Sequence, residues 1–390
     1  MVSEKIVLSN PDRFVKDHSI SRDKLIKAVE KAADKLEAFG KKNPCSFPGT
    51  RSIDFKYVCE ENKNWEAGMY TGCYWLAYEL TGNEFFRKEA ESHIPSYKYR
   101  LDHKIGIEGH DVGFPFMPSC VAAWKITGNE EARQIALDTA EYVLNERYFS
   151  KGEYKCIHTT NHHSMMDTLM NATLLLWAGK ETGDERYTEA GLNQSRMTNA
   201  LLIRADGSSY HHYIFDPETE APIKGWTLQG HSDDSCWSRG HSWGVYGLPV
   251  AYDYTGADFL PGLHKDISYF MLNHLPDDYI PYWDYDFVSG DESRDASAGL
   301  ISACGMLEMV KHLPDTAEQK KIFVNASARM VEAVIDNCTG DIGREYDGLV
   351  HHVTHAKPQG QGIDECAVYG DYFYLEALTR YLKPDWNRYW

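Results

Sequence analysis

The chain lacks most of the local signatures by which an active site is recognised from sequence. There is no G-x-G-x-x-G and no G-x-x-x-x-G-K-[ST], so neither a dinucleotide nor a nucleotide phosphate has its glycine-rich cradle. No H-E-x-x-H places two histidines on one zinc ion. The nine cysteines (45, 59, 73, 120, 156, 236, 304, 338 and 366) are spread singly, never as C-x-x-C, and their number is odd. That pattern fits reduced thiols better than a disulfide framework or a thiolate metal site. Basic residues are outnumbered, 40 Lys and Arg against 58 Asp and Glu, for a net charge of −18. Broad nucleic-acid or anionic-membrane binding needs the opposite balance. A small anion held in a local basic pocket remains compatible with it. No stretch approaches 18 uninterrupted apolar residues, and MVSEKIVLSNPDRF has no apolar signal region. The expectation is a soluble cytoplasmic protein, monomer or homodimer, with no nucleic-acid partner, no membrane, no metal and no cofactor.

What is present is aromatic and helical. Aromatics make up 13% of 390 residues, with 25 tyrosines and 10 tryptophans. An irregular repeat appears once the turns are aligned. YWLAYELTGNEFFRKEAESH starts at Tyr74, AAWKITGNEEARQIALDTAEYV at Ala122, LLWAGKETGDERYTEAGLNQS at Leu175 and VAYDYTGADFLPGLHKDISYF at Val250. Each joins an apolar helical segment to an amphipathic one through Thr-Gly. The glycine ends the first helix, and Asn83, Asn129 or Asp184 caps the next. A fifth copy from Met306 lacks the Thr-Gly.

Segments near 65–80, 114–126, 164–181, 235–254, 294–312 and 364–381 are apolar on most sides, which marks buried helices. Those near 23–39, 84–99, 130–146, 185–201, 258–273 and 316–337 carry one apolar stripe and belong outside. Six of each predicts an all-α (α/α)6 barrel, a single catalytic domain over residues 1–390. The loops from outer to inner helices are long (roughly 40–64, 100–113, 147–163, 202–234, 274–293 and 338–363) and gather at one mouth. Long ordered loops in a compact fold are usually functional.

The unusual chemistry sits in or just after those loops. Trp226 to Gly247 reads WTLQGHSDDSCWSRGHSWGVYG: three tryptophans, two histidines, a carboxylate pair and one arginine in 22 residues. If the segment from Ser235 is helical, Arg239, Trp243 and Tyr246 share a face, with Trp237 and His241 as neighbours at i, i+4. A guanidinium fork beside flat indoles suits a sugar ring that carries a carboxylate. A buried aromatic cluster around one paired arginine would have the same composition. Asp167, in NHHSMMDTLMN, is a lone carboxylate among Met165, Met166, Leu169 and Met170, and such burial raises a carboxyl pKa toward that of a neutral-pH acid. As part of the third inner helix it would share a face with His163 and Asn171. Asp111, in GHDVGFPF, precedes a helix N-terminus, which favours the charged form. Two carboxylates in opposed environments make an acid–base pair. Hydrogen-bonded burial alone would also account for Asp167. The doublets His162-His163, His211-His212 and His351-His352 lack metal-ligand spacing.

The segments GHDVGF, NHHSMMDTLMN, YHHYIFDPETEAPIKGWTLQGHSDDSCWSRGHSWGVYG and DECAVYGDYFYLEALTR resemble glycoside hydrolase family 88, the unsaturated glucuronyl hydrolases. The resemblance runs from about Trp65 to Arg380, and Gln229 to Gly247 is its most specific part. It implies an (α/α)6 barrel that hydrates the C4=C5 bond of a 4,5-unsaturated uronic acid at the non-reducing end of a small oligosaccharide. Carried over by position, Asp167 matches the general acid and base, and Asp111 a second essential aspartate. Trp65, His110, His211, Gln229, Trp237, Arg239 and Trp243 match substrate-binding positions. His241 stands where Gln or Asn is frequent. Relatives that accept sulfated fragments carry a Ser/Lys cluster on the last long loop; here HHVTHAKPQGQG offers Lys357 and no serine. An unsaturated rhamnogalacturonyl hydrolase, a sugar 2-epimerase and a non-catalytic carbohydrate-binding barrel are the other readings the residues leave open.

Overall fold

A computed structural model of the chain describes residues 6–390. They form an (α/α)6 barrel. After a single helical turn at Asp12–Val15, the outer helix α1 (Arg22–Lys42) begins the barrel. Inner–outer pairs follow: α2 (Ala67–Thr81) with α3 (Glu84–Asp102), then the composite α4 with α5 (Glu130–Glu146). Helix α4 runs through Gly113–Phe116, a π-helical turn Met117–Val121 and Ala122–Thr127. Next is α6 (Thr168–Asn171 continued by Thr173–Thr182) with α7 (Glu185–Met197). Then come α8 (Ser238–Thr255) with α9 (Phe259–Asn273), α10 (Ala296–Val310) with α11 (Glu318–Asn337), and the last inner helix α12 (Val368–Leu382). Inner helices touch their neighbours in order, α12 returns to α2, and α1 packs on α12 and α2 to close the ring.

Side-chain size explains the closeness of that ring. Every residue of α10 from Ala296 to Met306 is buried, which suits a helix with no solvent face. A methyl at Gly305 would overlap the backbone of Val245 and Tyr246 on α8, so glycine sets that helix separation. Outer helices bury one stripe; in α1 it is Leu25, Ala28, Val29, Ala32, Ala33 and Leu36. The prolines at 115 and 118 each remove a backbone donor from α4, and the helix widens into the π turn there.

The Thr-Gly turns work as their residues predict. Gly82, Gly128, Gly183 and Gly256 adopt φ of 64–76°. The preceding Thr81, Thr127, Thr182 and Thr255 each donate a 2.7 Å hydrogen bond to the carbonyl four residues back. Asn83, Asn129 and Asp184 accept from the first turn of the following helix. These short turns share one end of the barrel. That end is covered by the segment after α12, where Trp390 is fully buried and stacks on Phe373 at 6.1 Å. Beneath it Arg380 and Arg388 pair with Glu308 at 2.6 and 2.7 Å.

The long loops share the opposite end and contain strand structure that helical periodicity did not reveal. A two-stranded ribbon joins β1 (Phe47–Pro48) to β2 (Cys59–Glu60). A three-stranded antiparallel sheet joins β3 (His163–Met165), β4 (His212–Phe215) and β5 (Pro222–Trp226), in the order β3-β4-β5. Two boundaries move accordingly. The third inner helix starts at Thr168, so Asp167 is its N-cap residue rather than an interior one. His163 lies on a strand and does not share a helical face with Asp167. All nine cysteines are free, and seven are buried. Among the described residues no helix is long and apolar enough to cross a membrane.

Candidate active site

The mouth formed by the long loops encloses a cavity of about 290 Å³. Its wall includes all nine residues singled out from the sequence: Trp65, His110, Asp111, Asp167, His211, Gln229, Trp237, Arg239 and Trp243. A larger groove of about 430 Å³ between α1 and residues 340–347 holds several lysines but none of these residues.

Asp167 sits at the start of α6, 13% exposed, and its Oδ2 has no hydrogen-bond partner among the described residues. Burial pushes its carboxyl up to about 7; His110 opposes that shift and Asp111 adds to it. His211 approaches with Nε2 3.8 Å from that oxygen. Its Nδ1 faces the backbone N–H groups of Leu228 and Gln229, at 3.4 and 3.5 Å. Nδ1 is therefore the acceptor, and Nε2 carries the proton that points at Asp167. Burial holds His211 well below the ordinary imidazole range, so it serves as a neutral donor.

Asp111 precedes the first turn of α4, and His110 Nε2 lies 3.1 Å from its Oδ1. Burial works against a charge on His110, but Asp111 and then Asp167 outweigh it, and the imidazole is raised above its usual value. Asn171 joins the two carboxylate elements. Its Nδ2 donates to Asp111 Oδ1 at 3.2 Å and to the Asp167 carbonyl at 3.1 Å, while Oδ1 accepts from Phe114 N–H at 3.0 Å. Asn171 thus holds the Asp111 carboxylate and touches only the backbone of Asp167. The bridge requires close helices, and a methyl at Gly113 would overlap the Asn171 backbone.

Arg239 is sandwiched between Trp237 and Tyr369, with its guanidinium carbon 4.5 and 4.6 Å from the two ring centres. Its donors are largely taken. Nη1 binds Asp295 Oδ2 and the Thr354 carbonyl, both at 2.6 Å, and Nη2 binds the His355 carbonyl. An open guanidinium fork is therefore not what the cavity meets; Arg239 contributes its charge and pins the last long loop. Gln229 reinforces that loop by donating to the His355 carbonyl at 2.8 Å. Trp65 stacks on Tyr369 at 5.3 Å, and Trp243 lies against Phe114 at 4.9 Å, giving the cavity flat apolar walls. His241 faces away from it: Nε2 meets the Ile267 carbonyl at 2.9 Å and Nδ1 meets Ser209 Oγ at 3.0 Å.

Sequence reasoning missed Met165, His212, Leu228, His355, Gln359 and Gln361, which also line the cavity. His212 was visible only as half of a doublet. His355, Gln359 and Gln361 come from the last long loop, whose path depends on Arg239. Lys357 on the same loop is held by Glu292, with Ser293 Oγ at 3.2 Å. No group of three or more His, Cys, Asp or Glu side chains among the described residues is arranged to hold a metal ion.

Two carboxyl groups, a set of imidazoles and indole walls at one mouth of a closed helical ring belong to a helical-barrel glycosidase. The family model for Glycosyl Hydrolase Family 88 matches residues 41–283, and the chain belongs to that family. It is 37% identical over 389 residues to the unsaturated chondroitin disaccharide hydrolase of Streptococcus pneumoniae, covering 98% of each chain. The crystal structure of the unsaturated glucuronyl hydrolase of Streptococcus agalactiae superposes with a TM-score of 0.94 at 33% identity, over 99% of this chain and 98% of that one. A mutant of the same enzyme, complexed with dGlcA-GalNAc6S, superposes with a TM-score of 0.89 at 32% identity over the same shares.

Proposed function

We propose that this chain is an unsaturated glucuronyl hydrolase acting on small oligosaccharides derived from glycosaminoglycans, with residues 1–390 as one catalytic domain. The observation that carries this reading is Asp167: a carboxyl raised to about 7 in the wall of the cavity, with Oδ2 unpartnered among the described residues, beside His211 and the Asp111–His110 pair. A carboxyl of that pKa is an effective proton donor near neutrality.

In the proposed reaction Asp167 delivers its proton to C4 of the unsaturated uronate, and positive charge develops on C5 and the ring oxygen. Water then adds to C5 and returns a proton to Asp167, so the acid is regenerated. The product is a C5 hemiketal. Its ring C–O bond breaks to leave a ketone at C5, the hemiacetal left at C1 collapses, and the aglycone sugar departs with its oxygen. Asp111, held by His110 and Asn171, stabilises the developing charge and orients the ring, and Trp65 and Trp243 exclude water from its faces. No attack at the glycosidic carbon occurs, so the carboxylate spacing of retaining and inverting glycosidases is not at issue. Nine free thiols support action in a reducing compartment such as the cytoplasm.

The test is the ultraviolet absorbance of the conjugated C4=C5 carboxylate in unsaturated chondroitin and pectin disaccharides, followed with the wild type and with Asp167→Asn. Hydration removes the absorbance. Loss with the wild type and none with the variant is expected, faster on the chondroitin substrate. Faster loss on the pectin substrate would make the chain an unsaturated rhamnogalacturonyl hydrolase, and no loss on either would end the proposal.

A further inference from the structure

The three-stranded sheet at the mouth adds a wall that the reaction above does not use. Register places Met165, His212 and Trp226 directly opposite one another across β3, β4 and β5, so their side chains share one face. Met165 and His212 line the cavity. His212 is only 4% exposed, yet neither ring nitrogen has a hydrogen-bond partner among the described residues. A buried imidazole with both nitrogens unpaired is uncommon, because burial removes water from groups that need partners. Burial, together with nearby His110 and His163, keeps the ring neutral, with one donor and one acceptor.

Direction follows from the neighbours. His212 contacts His211 at 4.0 Å on the side of Asp167. His163 at 5.5 Å and Trp226 at 5.2 Å also flank the ring, and both are half-buried. The row therefore passes from buried His211, beside Asp167, through buried His212 to half-buried Trp226. With the unsaturated ring held at Asp167, a leaving sugar placed along that row meets His212 and then Trp226.

Resting on the hydrolase reading, we infer that His212 and Trp226 form the binding wall for the aglycone sugar. The imidazole pairs with a pyranose hydroxyl as donor and acceptor, and the indole takes the C–H face of the ring. The ligand class is a neutral or N-acetylated pyranose in the leaving position. His212 acts on specificity and does not take part in proton transfer.

The experiment compares kcat/KM on an unsaturated chondroitin disaccharide with that on the methyl glycoside of the same unsaturated uronate, which has no aglycone sugar. For His212→Ala the ratio of the two is expected to fall about tenfold, mainly through KM of the disaccharide. His212→Asn, which keeps a donor and an acceptor, is expected to recover part of it. Trp226→Ala, at a half-buried position, gives an independent fall if His212→Ala folds poorly. Equal losses on both substrates, or no loss, would overturn the inference while leaving the hydrolase reading intact. A wild type inactive on both would overturn that reading itself.

Discussion

Arg239 and Asp295 form a buried ion pair in which Nη1 lies 2.6 Å from Oδ2 and the side chains are 1% and 0% exposed. The same guanidinium binds the carbonyls of Thr354 and His355, so one arginine ties α8, the start of α10 and the last long loop together. Removing one partner of such a pair strands a charge in a medium that solvates it poorly. Asp295→Ala is expected to cost about 3–5 kcal/mol, read as a fall in denaturation midpoint. Replacing both residues with apolar ones of similar volume should recover much of the stability and none of the activity. Recovery of both would show that Arg239 has no role at the cavity.

Asp167 carries opposite consequences for activity and stability. In the proposed reaction its proton is delivered in the first step, so kcat/KM should decline as pH rises through about 7. The carboxyl titrates near 4 when unfolded and near 7 when folded, so the folded state binds the extra proton between those values. The stability contributed by this group therefore falls as pH rises from about 4 to about 7, and stays low above that. Asp167→Asn is expected to abolish turnover, to raise the melting temperature at pH 8 and to leave it nearly unchanged at pH 4. A variant less stable at pH 8 than the wild type would contradict the burial argument.

The His110–Asp111 pair makes a narrower prediction. Asp111→Asn keeps the shape but removes the anion that raises His110, so the imidazole should titrate lower by NMR. Turnover should fall by about 10²–10⁴ with a smaller change in KM. An unshifted His110 signal would place the source of its raised pKa elsewhere.

Gly113 tests the coupling between α4 and α6. Gly113→Ala drives a methyl into the Asn171 backbone and separates the helices that Asn171 bridges. Overpacking of this kind costs about 1–3 kcal/mol. Because the displaced residue holds Asp111, kcat should drop more than stability alone explains. Full activity in the folded variant would remove Asn171 from the positioning scheme.

The ring of inner and outer helices was legible because burial leaves a periodic record. Helices α2, α8 and α10 read as apolar on all sides, α1 and α11 as striped, and Thr-Gly marked the turns through capping chemistry that needs no tertiary context. Asp167 stood out for a related reason, as one carboxylate in a run of methionines and leucines. The strands were not legible. HHSMM and HHYIF are short, and their pairing joins residues about 50 apart in sequence through hydrogen bonds that no local pattern encodes.

The sequence by itself determined the barrel, the end at which the chemistry gathers and the residue types available there. Local propensity, capping and hydrophobic periodicity are properties of neighbouring residues and survive in a linear string. Only the tertiary structure decided which partner each polar group takes. Arg239 faces Asp295 and two carbonyls, Asn171 serves Asp111, and His212 has no partner among the described residues. Hydrogen bonds and ion pairs act over a few ångströms, between groups that the closed ring brings together from distant segments.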